Sequence, residues 1–296
     1  MLKNASNLKG VYVPVITPFK SDGTIDTEAL GETIRFLVKS GVHGICISCG
    51  TGEELYLSRE ERKLNLEIAV KEVNGRVPVV AGTGHGTPST RETVEYTKDA
   101  MDGGADAHLC AIDAHVTEEG MYEYYMDVGK VGLPVILYSL PRPRPITPGL
   151  VKRLVDSSDI FIGIKDSTGM DYLTECIHLN GDKISVFTGK DNYLIQAFVL
   201  GATGTICTVS NITPELVLDV YNGVKRGELD KARKSFYRLH PITRFIYSRG
   251  ADYQGATKYL CELLGRPGGV TRRPQLPLTA EEKERGKAAL KAAGLL

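Results

Sequence analysis

Eight short apolar runs, each separated from the next by a longer and more polar stretch, limit what this chain can fold into more than any other feature. The runs are Val11–Ile16, Gly44–Ser48, Val77–Ala81, Ala107–Ala111, Pro134–Tyr138, Phe161–Ile164, Ile184–Phe187 and Gly204–Cys207. They are rich in Val, Ile and Leu and do not alternate with polar residues. A strand with one wet face alternates; a run that does not is covered on both faces, as parallel strands between helices are.

The intervening stretches carry helical patterns. Thr27–Lys39 places Leu30, Ile34, Phe36 and Leu37 at helical spacing with polar residues opposite. Ser58–Val73 opens on Ser-Arg-Glu-Glu, a capping box in which Ser and Glu satisfy each other's free backbone N–H groups. Thr117–Lys130, Thr147–Val155, Asp191–Leu200 and Thr213–Val224 follow the same plan, and Thr147 and Thr213 each precede a proline suited to a first helical turn. A weak internal repeat marks the helix-to-strand joints: Gly41-Val-His-Gly-Ile, Gly104-Ala-Asp-Ala-His and Gly201-Ala-Thr-Gly-Thr each read as a glycine stop leading into a strand. Eight such strands within about 225 residues predict a (β/α)8 TIM barrel. The competing doubly wound sheet lacks its Gly-rich dinucleotide turn after the first strand. Beyond Lys225 the pattern is wholly helical, over Asp230–Tyr247, Tyr253–Leu264 and Ala280–Ala293. The expected organisation is a catalytic barrel at 1–225 and a C-terminal helical domain at 226–296.

The 296 residues, 42% of them hydrophobic, are enough to bury such a core. Lys and Arg number 36, as do Asp and Glu. That balance advertises neither nucleic acid nor an anionic membrane as a partner. No apolar run approaches membrane-spanning length, and Met1 to Gly10 lacks the apolar centre of a signal peptide, so the expected location is cytoplasmic. The six cysteines are scattered. Cys46 and Cys49 form a C-x-x-C, but Cys46 sits in an apolar run as a small buried hydrophobe would, and no second pair completes a zinc site.

In a barrel of this kind, chemistry sits at the C-terminal ends of strands. Strand six ends in Lys165. Burial there would disfavour the ammonium, lower its pKa and free an amine nucleophile; position alone is equally compatible with a surface lysine or one paired with Asp166. Strand five ends in Tyr138, whose hydroxyl could relay protons or whose ring could cap the barrel core. Strand two runs into Gly50-Thr51-Gly52-Glu53, where small residues and the Thr51 hydroxyl could cradle a carboxylate, or could form only a tight turn, with Glu53 bonding the loop backbone. Amine, relay and cradle together suit a 2-oxo acid: the amine condenses with the ketone, and the iminium becomes an electron sink that requires neither metal nor organic cofactor.

With these residues assembled, the chain resembles the dihydrodipicolinate synthase/N-acetylneuraminate lyase family of class I pyruvate-dependent aldolases. The resemblance rests on Gly10-Val-Tyr-Val-Pro-Val-Ile-Thr-Pro-Phe with Asp22-Gly23 and Ile25-Asp26, and on Cys49-Gly-Thr-Gly-Glu53. It rests also on Pro78-Val-Val-Ala-Gly-Thr-Gly84, Leu133-Pro-Val-Ile-Leu-Tyr138 and Gly163-Ile-Lys165-Asp-Ser. It covers nearly the whole chain and implies a barrel with a helical C-terminal domain, commonly a homotetramer. It also implies Lys165 as the Schiff-base lysine, Tyr138 as the relay tyrosine, Thr51 and Gly52 as the carboxylate loop, and Gly189 and Ile206 as positions whose backbone lines the 2-oxo acid pocket.

Three departures bear on the substrate. The family loop has two hydroxyl residues before its Gly-Glu; here the first is Gly50, a variant similar to the loop of 5-dehydro-4-deoxyglucarate dehydratases. The P-Y-Y-N-K-P stretch after strand four is replaced by Ile112-Asp113-Ala114-His115-Val116. The arginine that binds a second carboxylate is displaced, leaving Arg142 and Arg144 in Tyr138-Ser-Leu-Pro-Arg142-Pro-Arg144 as candidates for a second anionic group. These changes argue against an authentic 4-hydroxy-tetrahydrodipicolinate synthase. Asp113, His115 and His85 are loop residues that could reach a substrate or simply meet solvent. The expectation is a Schiff-base lyase acting on pyruvate or a 2-keto-3-deoxy acid, by aldol chemistry or dehydration. A metal-dependent barrel lyase would need converging carboxylate and histidine ligands, which the strand ends do not offer. A catalytically silent family member with a binding role is the remaining alternative.

Overall fold

The structure, a computed structural model, describes residues 8–86, 89–112, 115–141 and 144–296. Its centre is a closed barrel of eight parallel strands paired in chain order. The strands are β1 (Gly10–Pro14), β2 (Gly44–Ile47), β3 (Val79–Gly82), β4 (Ala107–Ala111), β5 (Val135–Ser139), β6 (Phe161–Asp166), β7 (Ser185–Thr188) and β8 (Gly204–Ile206). Each expected strand is present with its ends moved by at most two residues. Between them run α1 (Thr27–Lys39), α2 (Arg59–Val73), α3 (Thr90–Asp102), α4 (Glu118–Gly129), α5 (Pro148–Ser157), α6 (Met170–Asn180), α7 (Leu194–Val199) and α8 (Pro214–Lys225). The C-terminal part comprises α9 (Leu229–Ile246), α10 (Gln254–Leu263) and α11 (Ala280–Ala292). Helices α3 and α6 are additions to the segments singled out from sequence.

Local signals account for most helix starts. Ser58 and Glu61 form the reciprocal capping box of α2, and Thr147 caps α5 ahead of Pro148. Thr213 also precedes a proline at the start of α8, but its side chain makes no capping bond, so there Pro214 with its preset φ is the operative signal.

Parity along the strands divides the core. Tyr12, Cys46, Val80, Leu109, Ile136, Ile162, Phe187 and Ile206 fill the barrel interior, and Tyr138 packs against them. Val11, Leu137, Ile164 and Val186 face outward into a larger cluster shared with the helices. Side chains alternate faces, so register decides what points inward. Between β5 and β6 the register slips: Val135 pairs with Phe161, but Ile136 pairs with Gly163. One extra residue in β6 resets its parity beyond Ile162, as a bulge does. Ile164 then turns outward beside Leu137, and Lys165 turns inward opposite Tyr138.

Candidate active site

The bulge in β6 makes Lys165 part of the barrel mouth and not of its outer surface. The side chain is 7% exposed, and its Nζ lies 4.1 Å from the centroid of the Tyr138 ring. The surface-lysine alternative therefore falls. Asp166, next in the strand, turns its carboxylate to the N–H and hydroxyl of Thr168, at 2.7 and 2.5 Å, and so caps its own turn.

Burial is the largest influence on the Lys165 amine and disfavours its charged form; negative charge on Tyr138, Cys49 and Tyr253 acts the other way, and with those groups ionised the net direction is upward. This reverses the lowering expected from burial alone. Those charges exist only once the neighbours lose their protons. Burial holds the Cys49 thiol well above its usual range and pushes the Tyr253 phenol up to about 12. Near neutrality both are uncharged, which leaves Tyr138, the largest of the upward influences, set against the desolvation that disfavours the ammonium.

Tyr138 is half-buried and its hydroxyl accepts a hydrogen bond from Ser167 at 3.3 Å. Gly189 seals the other side of the lysine. Its N–H donates to the Asp166 carbonyl at 2.6 Å, and a Cβ added there would fall 2.3 Å from Ser167 Oγ and 2.7 Å from Lys165 Cε. Only a residue without a side chain lets this backbone approach so closely. Ile206, buried in the barrel interior, pairs with Tyr12 across the β8–β1 seam.

The loop after β2 forms a 3-10 turn over Gly50–Gly52 and then turns through Glu53 in the left-handed region, at φ 60°. Gly52 donates its N–H to the Cys49 carbonyl at 2.8 Å, which leaves Thr51 as the hydroxyl-bearing residue of the turn. Thr51 is buried and shares hydrogen bonds with Thr208 at 3.0 Å and with Tyr253 at 3.5 Å. Glu53 does not serve its own loop. It accepts the Arg272 N–H at 2.9 Å and pairs with Lys258 at 2.5 Å, tying the loop to the C-terminal helices.

Arg142 lies outside the described residues, as does Asp113. Arg144 is exposed, and its guanidinium donates to the Val116 carbonyl at 3.4 Å. His115 is exposed as well. His85 instead faces the buried Glu54 carboxylate, with Nδ1 2.5 Å from Oε1. Cys46 is fully buried and its thiol is pushed up to about 12, unlike a reactive redox cysteine.

Sequence reasoning missed four polar residues around this mouth. Asp191 follows β7 and Thr208 follows β8, so the strand-end rule applied to those two strands would have found them. Tyr247 and Tyr253 lie at the end of α9 and the start of α10, in a region read only as helical. The Tyr247 hydroxyl donates to the buried Asp191 carboxylate, which also accepts the Val209 N–H at 2.8 Å. The two tyrosine rings lie 5.4 Å apart. No local signal in either segment announces a site.

Comparison with known proteins gives a consistent picture. A family model described as the dihydrodipicolinate synthetase family matches residues 7–293. The chain is 36% identical over 295 residues to a 4-hydroxy-tetrahydrodipicolinate synthase of Thermodesulfovibrio yellowstonii, covering 97% of this chain and 99% of that one. It is 38% identical over 282 residues to an uncharacterized DapA-like lyase of Pyrococcus horikoshii, covering 93% and 96%. Among solved structures it is similar to YagE, a prophage protein of the dihydrodipicolinic acid synthase family from E. coli K12 in complex with pyruvate. The TM-score there is 0.93, with 31% identity and coverage of 98% of this chain and 99% of YagE.

Proposed function

This chain belongs to the dihydrodipicolinate synthetase family, and from that premise we propose that Lys165 forms a Schiff base with pyruvate or a 2-keto-3-deoxy acid. It is a lyase of the class I, Schiff-base-forming type. The neutral amine adds to the ketone carbon. The ketone oxygen then takes up two protons, one from the amine and one through Tyr138, and leaves as water. The resulting iminium withdraws electrons from the neighbouring carbon, so that carbon can lose a proton, or a bond to it can break or form. Thr51, with the turn Gly50–Gly52, holds the carboxylate, and Gly189 and Ile206 line the 2-oxo acid pocket. Arg142 and Arg144 are the proposed contacts for a second anionic group at the rim.

The observation that carries this reading is the pairing of a buried lysine with an inward tyrosine at adjacent strand ends, Nζ 4.1 Å from the ring centroid. The second substrate is a separate matter. Relatives named 4-hydroxy-tetrahydrodipicolinate synthase share about a third of their residues with this chain. The altered stretch after β4 and the displaced arginines favour a different partner for the pyruvate unit.

We assign residues 1–225 to the catalytic barrel and 226–296 to the helical domain. The enzyme is proposed to act in the cytoplasm as a homotetramer or dimer; among the described residues no helix is long and apolar enough to cross a membrane. The test is reduction with borohydride in the presence of pyruvate, then of 2-keto-3-deoxy acids, followed by peptide mapping. An adduct on the Lys165 peptide that disappears in Lys165→Ala is expected. Absence of an adduct with every 2-oxo acid tried would leave the silent-homologue reading in its place.

A further inference from the structure

The Thr51 hydroxyl has two hydroxyl neighbours, and one of them comes from the far end of the chain. Tyr253 Oη stands 3.5 Å from Thr51 Oγ1 and within electrostatic reach of both Lys165 and Tyr138. Its position is fixed locally. Gln254, the first residue of α10, donates its side-chain amide to the Gly50 carbonyl at 3.0 Å, clamping the helix start onto the loop after β2. The Tyr253 ring leans on Tyr247, whose own hydroxyl is held by Asp191. Gly50 is what makes the space. A Cβ built at that position would lie 3.5 Å from the Tyr253 hydroxyl and 3.6 Å from Glu54 Oε1, in ordinary contact. A serine at position 50 would thus direct its hydroxyl into the region that the Tyr253 hydroxyl now occupies.

We infer that Tyr253, carried by the C-terminal helices of the same chain, is the positioning residue that joins the Thr51 hydroxyl to the Lys165–Tyr138 pair and supplies the relay hydroxyl that Gly50 lacks. It acts through Thr51: it orients that hydroxyl and keeps the path between lysine and loop polar, so that a proton crosses between hydroxyls and not through an apolar gap. Its closest counterpart in the loop is a side chain at position 50, and the two alternatives compete for one volume. The inference rests on the Schiff-base reading above.

Exchange of the pyruvate methyl protons with D2O, followed by NMR, tests it without the second substrate. In each cycle the iminium loses one C3 proton to give the enamine, and a deuteron from solvent replaces it. Tyr253→Phe is expected to slow exchange by about a hundredfold, the usual scale for a lost proton-transfer partner. The fraction of Lys165 trapped by borohydride at saturating pyruvate should stay at the wild-type level. Adding Gly50→Ser to Tyr253→Phe is expected to restore about tenfold of the lost rate. Wild-type exchange in Tyr253→Phe would overturn the inference. So would a loss of rate, trapping and thermal stability together with no recovery from Gly50→Ser, which would assign Tyr253 a structural role. If the wild type itself neither traps nor exchanges with any 2-oxo acid, the Schiff-base reading fails first and takes this inference with it.

Discussion

A methyl group at Gly189 would sit 2.7 Å from Lys165 Cε, inside any real carbon contact, and a tight 3.0 Å from the Asp166 carbonyl. Something must move, and the mobile partner is the lysine stem or the neighbouring Ser167 hydroxyl, 2.3 Å away. Displacing a nucleophile by about 1 Å costs on the order of a hundredfold in rate. Gly189→Ala is therefore expected to slow formation of the Lys165 adduct by about that factor while leaving the melting temperature near wild type. Stopped borohydride trapping over a time course measures the rate; an unchanged rate would show that the loop after β7 yields instead.

Single elements decide which side chains face the barrel axis and which are sealed behind it. The bulge of β6 is the case that matters for chemistry, because without it Lys165 would follow Ile162 and Ile164 in plain alternation and point with the outer cluster. β4 supplies a second case. His108 lies between the interior residues Ala107 and Leu109, is wholly buried, and is hydrogen-bonded through Nδ1 to the Thr83 hydroxyl at 2.8 Å. Desolvation pushes its pKa from 6.5 down to about 3. Above about pH 6.5 the imidazole is neutral in the folded and unfolded chain alike and exerts no pH effect. As pH falls through 6.5 the unfolded chain takes up a proton that the folded barrel refuses until about pH 3, so stability is lost across that window. At about 1.36 kcal/mol per pH unit the full loss is roughly 5 kcal/mol. His108→Leu is expected to flatten the acid limb of the melting temperature against pH between about 6.5 and 3, at some cost at neutral pH from the lost Thr83 bond. An acid limb identical to wild type would assign that loss to other groups.

At the scale of the whole molecule, the C-terminal helices share the barrel's core. Leu216, Val217 and Val220 of α8 belong to one apolar cluster with Leu239, Ile242, Phe245 and Ile246 of α9, Leu260 of α10 and Leu290 of α11. The buried Glu53–Lys258 pair and the Arg272 N–H bond fasten the same helices to the loop after β2. Fully burying one such apolar side chain contributes about 1.5–3 kcal/mol, and a domain's net stability is only about 5–15 kcal/mol. The six from α9, α10 and α11 together contribute about 9–18 kcal/mol, as large as that whole margin. A chain ending at residue 225 is expected to show no cooperative thermal transition and to bind a hydrophobic dye. A sharp melt from that fragment would show that the barrel stands alone.

The sequence by itself determined the strands, most of the helices, the barrel and the residues at its mouth that lie on strand ends. These depend on short-range causes: apolar runs, capping residues and glycine stops act within a few positions of themselves. Lys165, Tyr138 and Thr51 could be named because strand ends in such a barrel converge by topology. The tertiary structure alone decided three things. It decided the inward parity of Lys165, which hangs on one inserted residue and on pairing with β5. It set the balance acting on the amine, which depends on neighbours from three other segments. It also brought Tyr253 to Thr51 across a sequence separation of 202. Contacts of that separation leave no periodic trace in the chain, because only the closed barrel and the packing of α10 against its mouth bring the two hydroxyls together.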